Sequence, residues 1–124
     1  MRTLALALTL VLSLSISVPA RAAVDETNAH RLNALGLFLG TGSGYDLGGT
    51  ATRLHGIIML TRMLGEEADA LSFDGPCPFS DVAAGKPSAY TGYAFAQGYT
   101  TGVSATTFRP NGALSFKHYV TFLL

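Results

Sequence analysis

The sequence has 124 residues, with eight basic and eight acidic side chains and a formal net charge of zero. That length accommodates one small domain, and the balanced charge offers no basic stripe to follow a nucleic-acid backbone. The single cysteine, Cys77, excludes an intramolecular disulfide framework. We interpret Cys77 as a small apolar residue; the alternative is an intermolecular disulfide or a reactive thiol.

The first 22 residues have the pattern of a secretory signal peptide. Arg2 provides the basic start, residues 4–18 are largely apolar, and residues 20–22 show the small-x-small pattern that precedes a cleavage site. A transmembrane anchor is disfavoured, because serine and threonine interrupt an apolar run shorter than the roughly 20 residues of a span. We therefore expect cleavage after Ala22, export, and no membrane segment in the mature chain, which would carry six basic and eight acidic residues.

A first helix is predicted over residues 27–35, where apolar side chains recur at helical spacing and Gly36 follows as a stop signal. The glycine-rich run at residues 41–44 comes next. A phosphate-binding P-loop would follow a strand and continue with lysine and then serine or threonine. The sequence pattern predicts neither, so we expect no phosphate site in this run.

A second helix is predicted over residues 53–64. Thr52 suits its N-cap position, and Gly65 suits the left-handed position just past its end. Residues 57–60 are apolar around most of the helix circumference, so this helix should have neighbours on more than one side. Residues 66–70 are predicted to form a short, solvated continuation.

The second half of the chain follows a linker at residues 72–76. A helix is predicted over residues 90–97, because its tyrosines recur on one face and Gly98 provides a left-handed cap. Asp81 suits either a helix entry or an Asx-type turn, and residues 109–112 have the composition of a tight turn. The predicted order is therefore loop, helix, glycine hinge, turn and second helix.

The two halves repeat each other at an offset of 62 or 63 residues. The matched pairs are Gly36 with Gly98, Gly40 with Gly102, Tyr45 with Phe108, and Thr52 with Ser115. A helix-turn-helix repeat of this kind cannot bury its apolar face alone and stacks on further copies. The second copy reaches Leu124 with its apolar residues still in helical register. We therefore expect a fragment of a longer surface protein that carries another repeat or a cargo domain.

Short motifs in the second half resemble those of the S-layer homology (SLH) domain, a bacterial cell-wall-binding module. They are a Phe-x-Asp-Val start at residues 79–82, a Gly-x-x-x-Gly helix end at residues 98–102 and a Phe-x-Pro-Asn turn at residues 108–111. The resemblance implies an all-α fold of about two tandem helix-loop-helix SLH-type repeats after the signal peptide. Repeat 1 would cover residues 23–71, and repeat 2, incomplete at its end, residues 72–124.

The resemblance also implies a non-catalytic function, in which wall-linked secondary polysaccharide anchors an exported protein to the cell envelope. In the family, the second helix begins with Thr-Arg-Ala-Glu; the threonine and glutamate form a capping box, and the arginine points into a polysaccharide groove between repeats. This chain has Thr-Arg-Leu-His at residues 52–55. The glycan-binding residues carried over from the family are Thr52, Arg53, Asp81, Gly102, Ser115 and Lys117.

Two departures from the family favour an alternative, in which degenerate repeats have a structural or protein-interaction role without glycan binding. SLH repeats usually have a tryptophan shortly after the Phe-x-Asp-Val start, and this chain contains no tryptophan. In the second copy, Phe116 occupies the arginine position and Lys117 is displaced by one residue. In both copies, at His55 and His118, a histidine replaces the usual glutamate.

No catalytic site and no cofactor are predicted. The sequence lacks a Gly-x-Ser-x-Gly nucleophile elbow, and its acidic residues are expected in turns or on a solvated helix end, without the paired placement that glycoside hydrolysis needs. A metal site shared by His30, His55 and His118 is an alternative. Their spacing includes no His-x-x-x-His or Glu-x-x-His pattern, so we expect no metal ion and interpret His55 and His118 as ordinary first-turn residues.

Overall fold

The computed structural model describes residues 20–115 and 117, with side-chain surroundings from residue 26 onward. This part of the chain forms four α-helices: α1 (Ala20–Ala34), α2 (Arg53–Met63), α3 (Glu67–Leu71) and α4 (Lys86–Ala96). It contains no β-strand, only isolated bridges, so the all-α prediction is confirmed for these residues. None of its helices is both long and apolar enough to cross a membrane.

The first two helices end where their glycines predict. α1 begins upstream of the expected position and before the predicted cleavage site, but it stops at Ala34, two residues before Gly36. α2 follows Thr52, and Gly65 lies two residues past its end. Gly36 and Gly65 have φ angles of 72° and 75°, a conformation in which any side chain is strained. Residues 1–19, most of the predicted signal peptide, lie outside the described residues.

The helix predicted to begin at Tyr90 begins four residues earlier, at Lys86. Pro87 is compatible with this start, because the first turn of a helix needs no backbone N–H donor and proline fixes a helical φ there. The end of α4 agrees with the prediction: Gln97 is the C-cap, and Gly98 has a φ of 80°.

Residues 66–70 are not a solvated continuation of α2, as the sequence predicted. Gly65 breaks the chain direction, and α3 is a separate five-residue helix that packs against both α2 and α4. Ala70 is fully buried, and the side chains of Glu66 and Glu67 are half-buried. The prediction failed because the exposed-looking acidic pair hydrogen-bonds to tyrosines that lie more than 20 residues further along the chain.

The core lies where α2, α3 and α4 meet, and it extends into the segments on either side of α4. We call residues 77–82, which precede α4, the strap. The buried apolar residues are Ile57 and Leu60 of α2, Ala70 of α3, Tyr90, Tyr93 and Ala94 of α4, Phe79 of the strap, and Phe108. Phe79 packs against Phe108 with ring centroids 5.4 Å apart. Residues on both sides of the predicted repeat boundary at 71 therefore share one core.

The first loop (residues 35–52) and the second loop (residues 97–115) have matching backbone conformations. Four features recur at an offset of 62 or 63: a glycine at positive φ (Gly36, Gly98), a second such glycine (Gly40, Gly102), a bridge (Thr41 to Gly44, Ser104 to Thr107) and a non-glycine residue at positive φ (Asp46, Arg109). Each loop then closes a tight turn, in which Gly49 N–H donates to Asp46 and Gly112 N–H to Arg109. This is the turn expected at residues 109–112.

The helix expected to follow Ser115 is described only at Lys117, which is helical. The remaining residues of that prediction, including Phe116, His118, Tyr119, Val120 and Leu123, lie outside the described residues.

Candidate functional site

Asp81 of the strap connects to the second loop by two charge-assisted hydrogen bonds. Its carboxylate accepts the backbone N–H groups of Phe108, at 2.8 Å, and Arg109, at 2.7 Å. The bond from the Phe108 N–H is the main reason that the pKa of Asp81 is lowered. Asp81 is therefore not a helix entry, which the structure places at Gly85; it fixes a loop 27 residues further along the chain.

Arg53 binds the carbonyl of the peptide group between Phe108 and Arg109, whose N–H bonds to Asp81. Its Nε donates to the Phe108 carbonyl oxygen at 2.8 Å, and its guanidinium lies over the Phe108 ring, 4.8 Å from the centroid. The residue is only 4% exposed, and this burial is the main cause of its lowered pKa, with the nearby charge of Arg109 a second cause. The arginine carried over from the family as a glycan ligand thus lies inside the fold.

The start of α2 has its first N–H groups already satisfied. The second loop accepts two of them: Arg53 N–H donates to Gly112 at 2.9 Å and Leu54 N–H to Pro110 at 3.1 Å. Thr52 Oγ1 accepts from the His55 N–H, and His55 Nδ1 accepts from the Thr52 N–H at 3.4 Å, which completes a capping box. The positive end of α2 is therefore not an anion site, and the role of His55 is capping.

Gly102 is required by the shape of the second loop. Its φ is 77°, and a Cβ at this position would lie 2.5 Å from Phe79 Cε1 and 2.7 Å from the carbonyl oxygens of Ser104 and Thr107. Of the remaining residues implied by the family, Ser115 and Lys117 are exposed at the end of the loop. The structure thus brings Thr52, Arg53, Asp81 and Gly102 together around the second loop, with Ser115 and Lys117 following it.

Sequence reasoning missed a cluster of tyrosine and glutamate side chains between α3 and the α4 region. Tyr90 OH donates to Glu67, which also accepts from Arg62 Nε at 2.8 Å. Glu66 accepts from Tyr93 OH at 3.2 Å and from Tyr99 OH at 2.8 Å. The spacing of Tyr90 and Tyr93 on one helical face was visible in the sequence, but nothing local indicated that their hydroxyl groups meet the acidic pair after Gly65.

This cluster predicts a loss of stability at alkaline pH. Burial and the bond to Glu67 raise the pKa of Tyr90 to about 12, and the bond to Glu66, with burial, raises that of Tyr99 to about 12. Since a tyrosine in an unfolded chain has a pKa of about 10, the stability that the two neutral phenols contribute below pH 10 is lost as the pH rises towards about 12. The urea midpoint of the parent chain should fall as the pH rises from about 10 to about 12. In the double variant with Tyr90→Phe and Tyr99→Phe the midpoint should fall less steeply with pH. An equally steep fall in the two proteins would contradict the assignment.

A surface groove of about 500 Å³ lies between the first loop and α2, and it is mostly apolar. Phe38, Tyr45 and Leu47 line one side, and Ile58 and Met59 line the other. Tyr45 stacks on Phe38, and its hydroxyl bonds to His30 Nδ1 at 2.8 Å. Asp46 is the one carboxylate among the described residues that line this groove.

The described residues contain no group of three potential metal ligands. His30 and His55 are engaged separately, by Tyr45 and by the α2 cap, and His118 lies outside these residues. Cys77 is half-buried, with its sulfur 3.3 Å from Thr91 Oγ1. Comparison with known protein families, curated proteins and solved structures finds no match to this chain.

Proposed function

We propose that this chain is a non-catalytic repeat module that anchors an exported protein to the bacterial cell envelope by binding wall-linked secondary polysaccharide. One observation carries the proposal: residues from separate SLH-like motifs converge on a single residue, Phe108. Asp81 and Arg53, which are 27 and 55 residues from Phe108 in sequence, bind the N–H and the C=O of that residue. This convergence supports the proposal because an SLH-like architecture would bring these separate motifs together.

The place of Arg53 changes which residues could contact an anionic polysaccharide. Arg53 is buried, but Arg109 beside it is exposed and close enough to interact electrostatically with both Arg53 and Asp81. A guanidinium can hold a carboxylate through two parallel hydrogen bonds. We therefore assign the first contact with polysaccharide to Arg109, with exposed Lys117 as a second cation.

A structural role, in which the repeats pack on other repeats without binding glycan, is the second candidate. The burial of Arg53 favours it, because the side chain that would otherwise reach a groove donates to the Phe108 carbonyl and stacks on its ring. In this case Arg53 and Asp81 serve only to join one helix-loop unit to the next.

The proposal is tested by sedimentation of the exported chain with purified cell-wall sacculi, with and without their secondary polysaccharide. We expect retention on intact sacculi and none on stripped ones. Arg109→Ala should weaken retention about 10-fold or more, since a charge-assisted hydrogen bond contributes about 1.5 to 3 kcal/mol. Arg31→Ala, which removes an exposed arginine on α1, is the matched control and should bind normally.

Melting temperatures distinguish the loss of a polysaccharide contact from a folding defect, and Arg53→Ala is the variant expected to show the folding defect. We expect it to lower the melting temperature, since it leaves the Phe108 carbonyl without its charged donor, whereas Arg109→Ala should melt like the parent chain. Equal retention on intact and stripped sacculi would exclude polysaccharide binding. Retention that Arg109→Ala leaves unchanged would exclude the assigned contact.

A further inference from the structure

The first loop shares the positive-φ residues, the bridge and the tight turn of the second loop, with one residue fewer. It lacks the contacts that cover the second loop. In the second loop, three carbonyl oxygens accept from the start of α2: Phe108 from Arg53 Nε, Gly112 from Arg53 N–H and Pro110 from Leu54 N–H. Two N–H groups, those of Phe108 and Arg109, bond to the strap carboxylate. A fully buried aromatic ring, Phe108, seals this interface.

The equivalent groups of the first loop are unpaired among residues 20–115 and 117. They are the carbonyl oxygens of Tyr45, Leu47 and Gly49 and the N–H groups of Tyr45 and Asp46, and no hydrogen bond to any of them is formed by a described residue. Leu47 is 48% exposed, and Asp46 and Gly49 are exposed. Two loops of the same shape therefore differ in that one is covered by a helix start and the other is open.

We propose that the first loop is a docking surface for the start of a helix in which a capping threonine or serine precedes an arginine, supplied by a further repeat of this type. The second loop shows the geometry of the complex, since Thr52 and Arg53 dock on it in this way. The proposal rests on the duplicated loop and not on polysaccharide binding, so it and the anchoring function can fail independently.

The negative charge of Asp46 favours an arginine at the start of the docking helix. Arg109 lies beside Arg53 in the occupied loop, and its like charge contributes to the lowered pKa of Arg53. The residue at the position of Arg109 in the first loop is Asp46, with a similar positive φ. An arginine that docked there would meet a carboxylate instead of a second guanidinium, which strengthens the contact.

A second copy of the same chain does not offer the required helix start. Its Arg53 and Leu54 N–H groups and its Arg53 Nε are already bonded to its own second loop. Docking through α2 would require that loop to detach and would expose the Phe108 ring, which is fully buried. A separate repeat whose helix start is not yet covered has no such cost.

The test is an extended chain in which a copy of residues 51–85 is fused in front of Val24. Residue 24 corresponds to residue 86 at the offset of 62. The copied Gly85 therefore directly precedes Val24, as Gly85 precedes Lys86 in the parent chain. We expect the melting temperature to rise by roughly 5 °C or more, as a gain of even 1 kcal/mol would produce in a domain of this size. Replacing the copied arginine by alanine should remove most of that rise, and Asp46→Arg should do the same.

An extended chain that fails to fold cooperatively, that gains no stability, or that keeps its gain without the copied arginine would overturn the proposal. Amide exchange in the unextended chain provides an independent measurement: Tyr45 and Asp46 amides should exchange much faster than those of Phe108 and Arg109, and equal protection would show that the surface is already covered. Dimerisation of the unextended chain that Asp46→Arg abolishes would assign the surface to a second copy instead.

Discussion

Replacing Phe108 by alanine is expected to lower the free energy of unfolding by about 3 to 5 kcal/mol, the range for truncation of a buried phenylalanine. The side chain has no exposed surface, and its ring contacts both the Phe79 ring and the Arg53 guanidinium. The cavity would open where the strap, α2 and the second loop meet. Because small domains are stable by only about 5 to 15 kcal/mol, this single change should move the urea midpoint far towards zero or unfold the chain.

Phe95→Ala is the matched control. Phe95 also contacts Phe79, edge to face with centroids 5.6 Å apart, but 42% of its surface is exposed. Its removal gives up one aromatic pair and less buried area than the removal of Phe108, so we expect a clearly smaller loss of stability than for Phe108→Ala. If the two substitutions cost the same, Phe108 is not the residue on which the strap and the second loop pack.

The helix ends were predictable because their signals are local. A capping threonine, a run of helical periodicity and a glycine at the left-handed position lie within one or two turns of each other, as Thr52 and Gly65 do around α2. The repeat was also visible, since glycines recur at the matched positions where both loops have a positive φ. Pro87 shows the limit of this reasoning: it was compatible with a helix start, but tyrosine periodicity alone placed that start too late.

The roles of the polar residues could not be predicted, because they depend on contacts between distant parts of the chain. The sequence does not show that the Asp81 carboxylate reaches the backbone of residues 108 and 109, or that Glu66 meets Tyr99 across 33 residues. Arg53 illustrates the consequence. Its motif suggested a surface ligand, whereas the structure buries it against a carbonyl and a ring, so the cation to test for glycan binding is Arg109.

Gly102→Ala is expected to cost about 2 to 5 kcal/mol, as the sum of two separate effects. The first is the left-handed conformation at a φ of 77°, which costs a residue with a side chain roughly 1 to 2 kcal/mol. The second is overpacking, typically about 1 to 3 kcal/mol, since the new Cβ would lie 2.7 Å from two carbonyl oxygens that belong to the Ser104–Thr107 bridge and cannot rotate away.

The chain provides a control for the conformational effect. Gly98 has a φ of 80°, but a Cβ added there would have no atom within 4 Å, so Gly98→Ala should show the conformational cost alone. The first loop repeats the comparison with an open Gly36 and a crowded Gly40, whose Cβ would lie 2.6 Å from the Gly44 carbonyl. In each loop, urea unfolding should find the second glycine more costly to replace than the first. If Gly102→Ala costs no more than Gly98→Ala and yet abolishes retention on sacculi, Gly102 would act as a glycan contact after all and not through the shape of the loop.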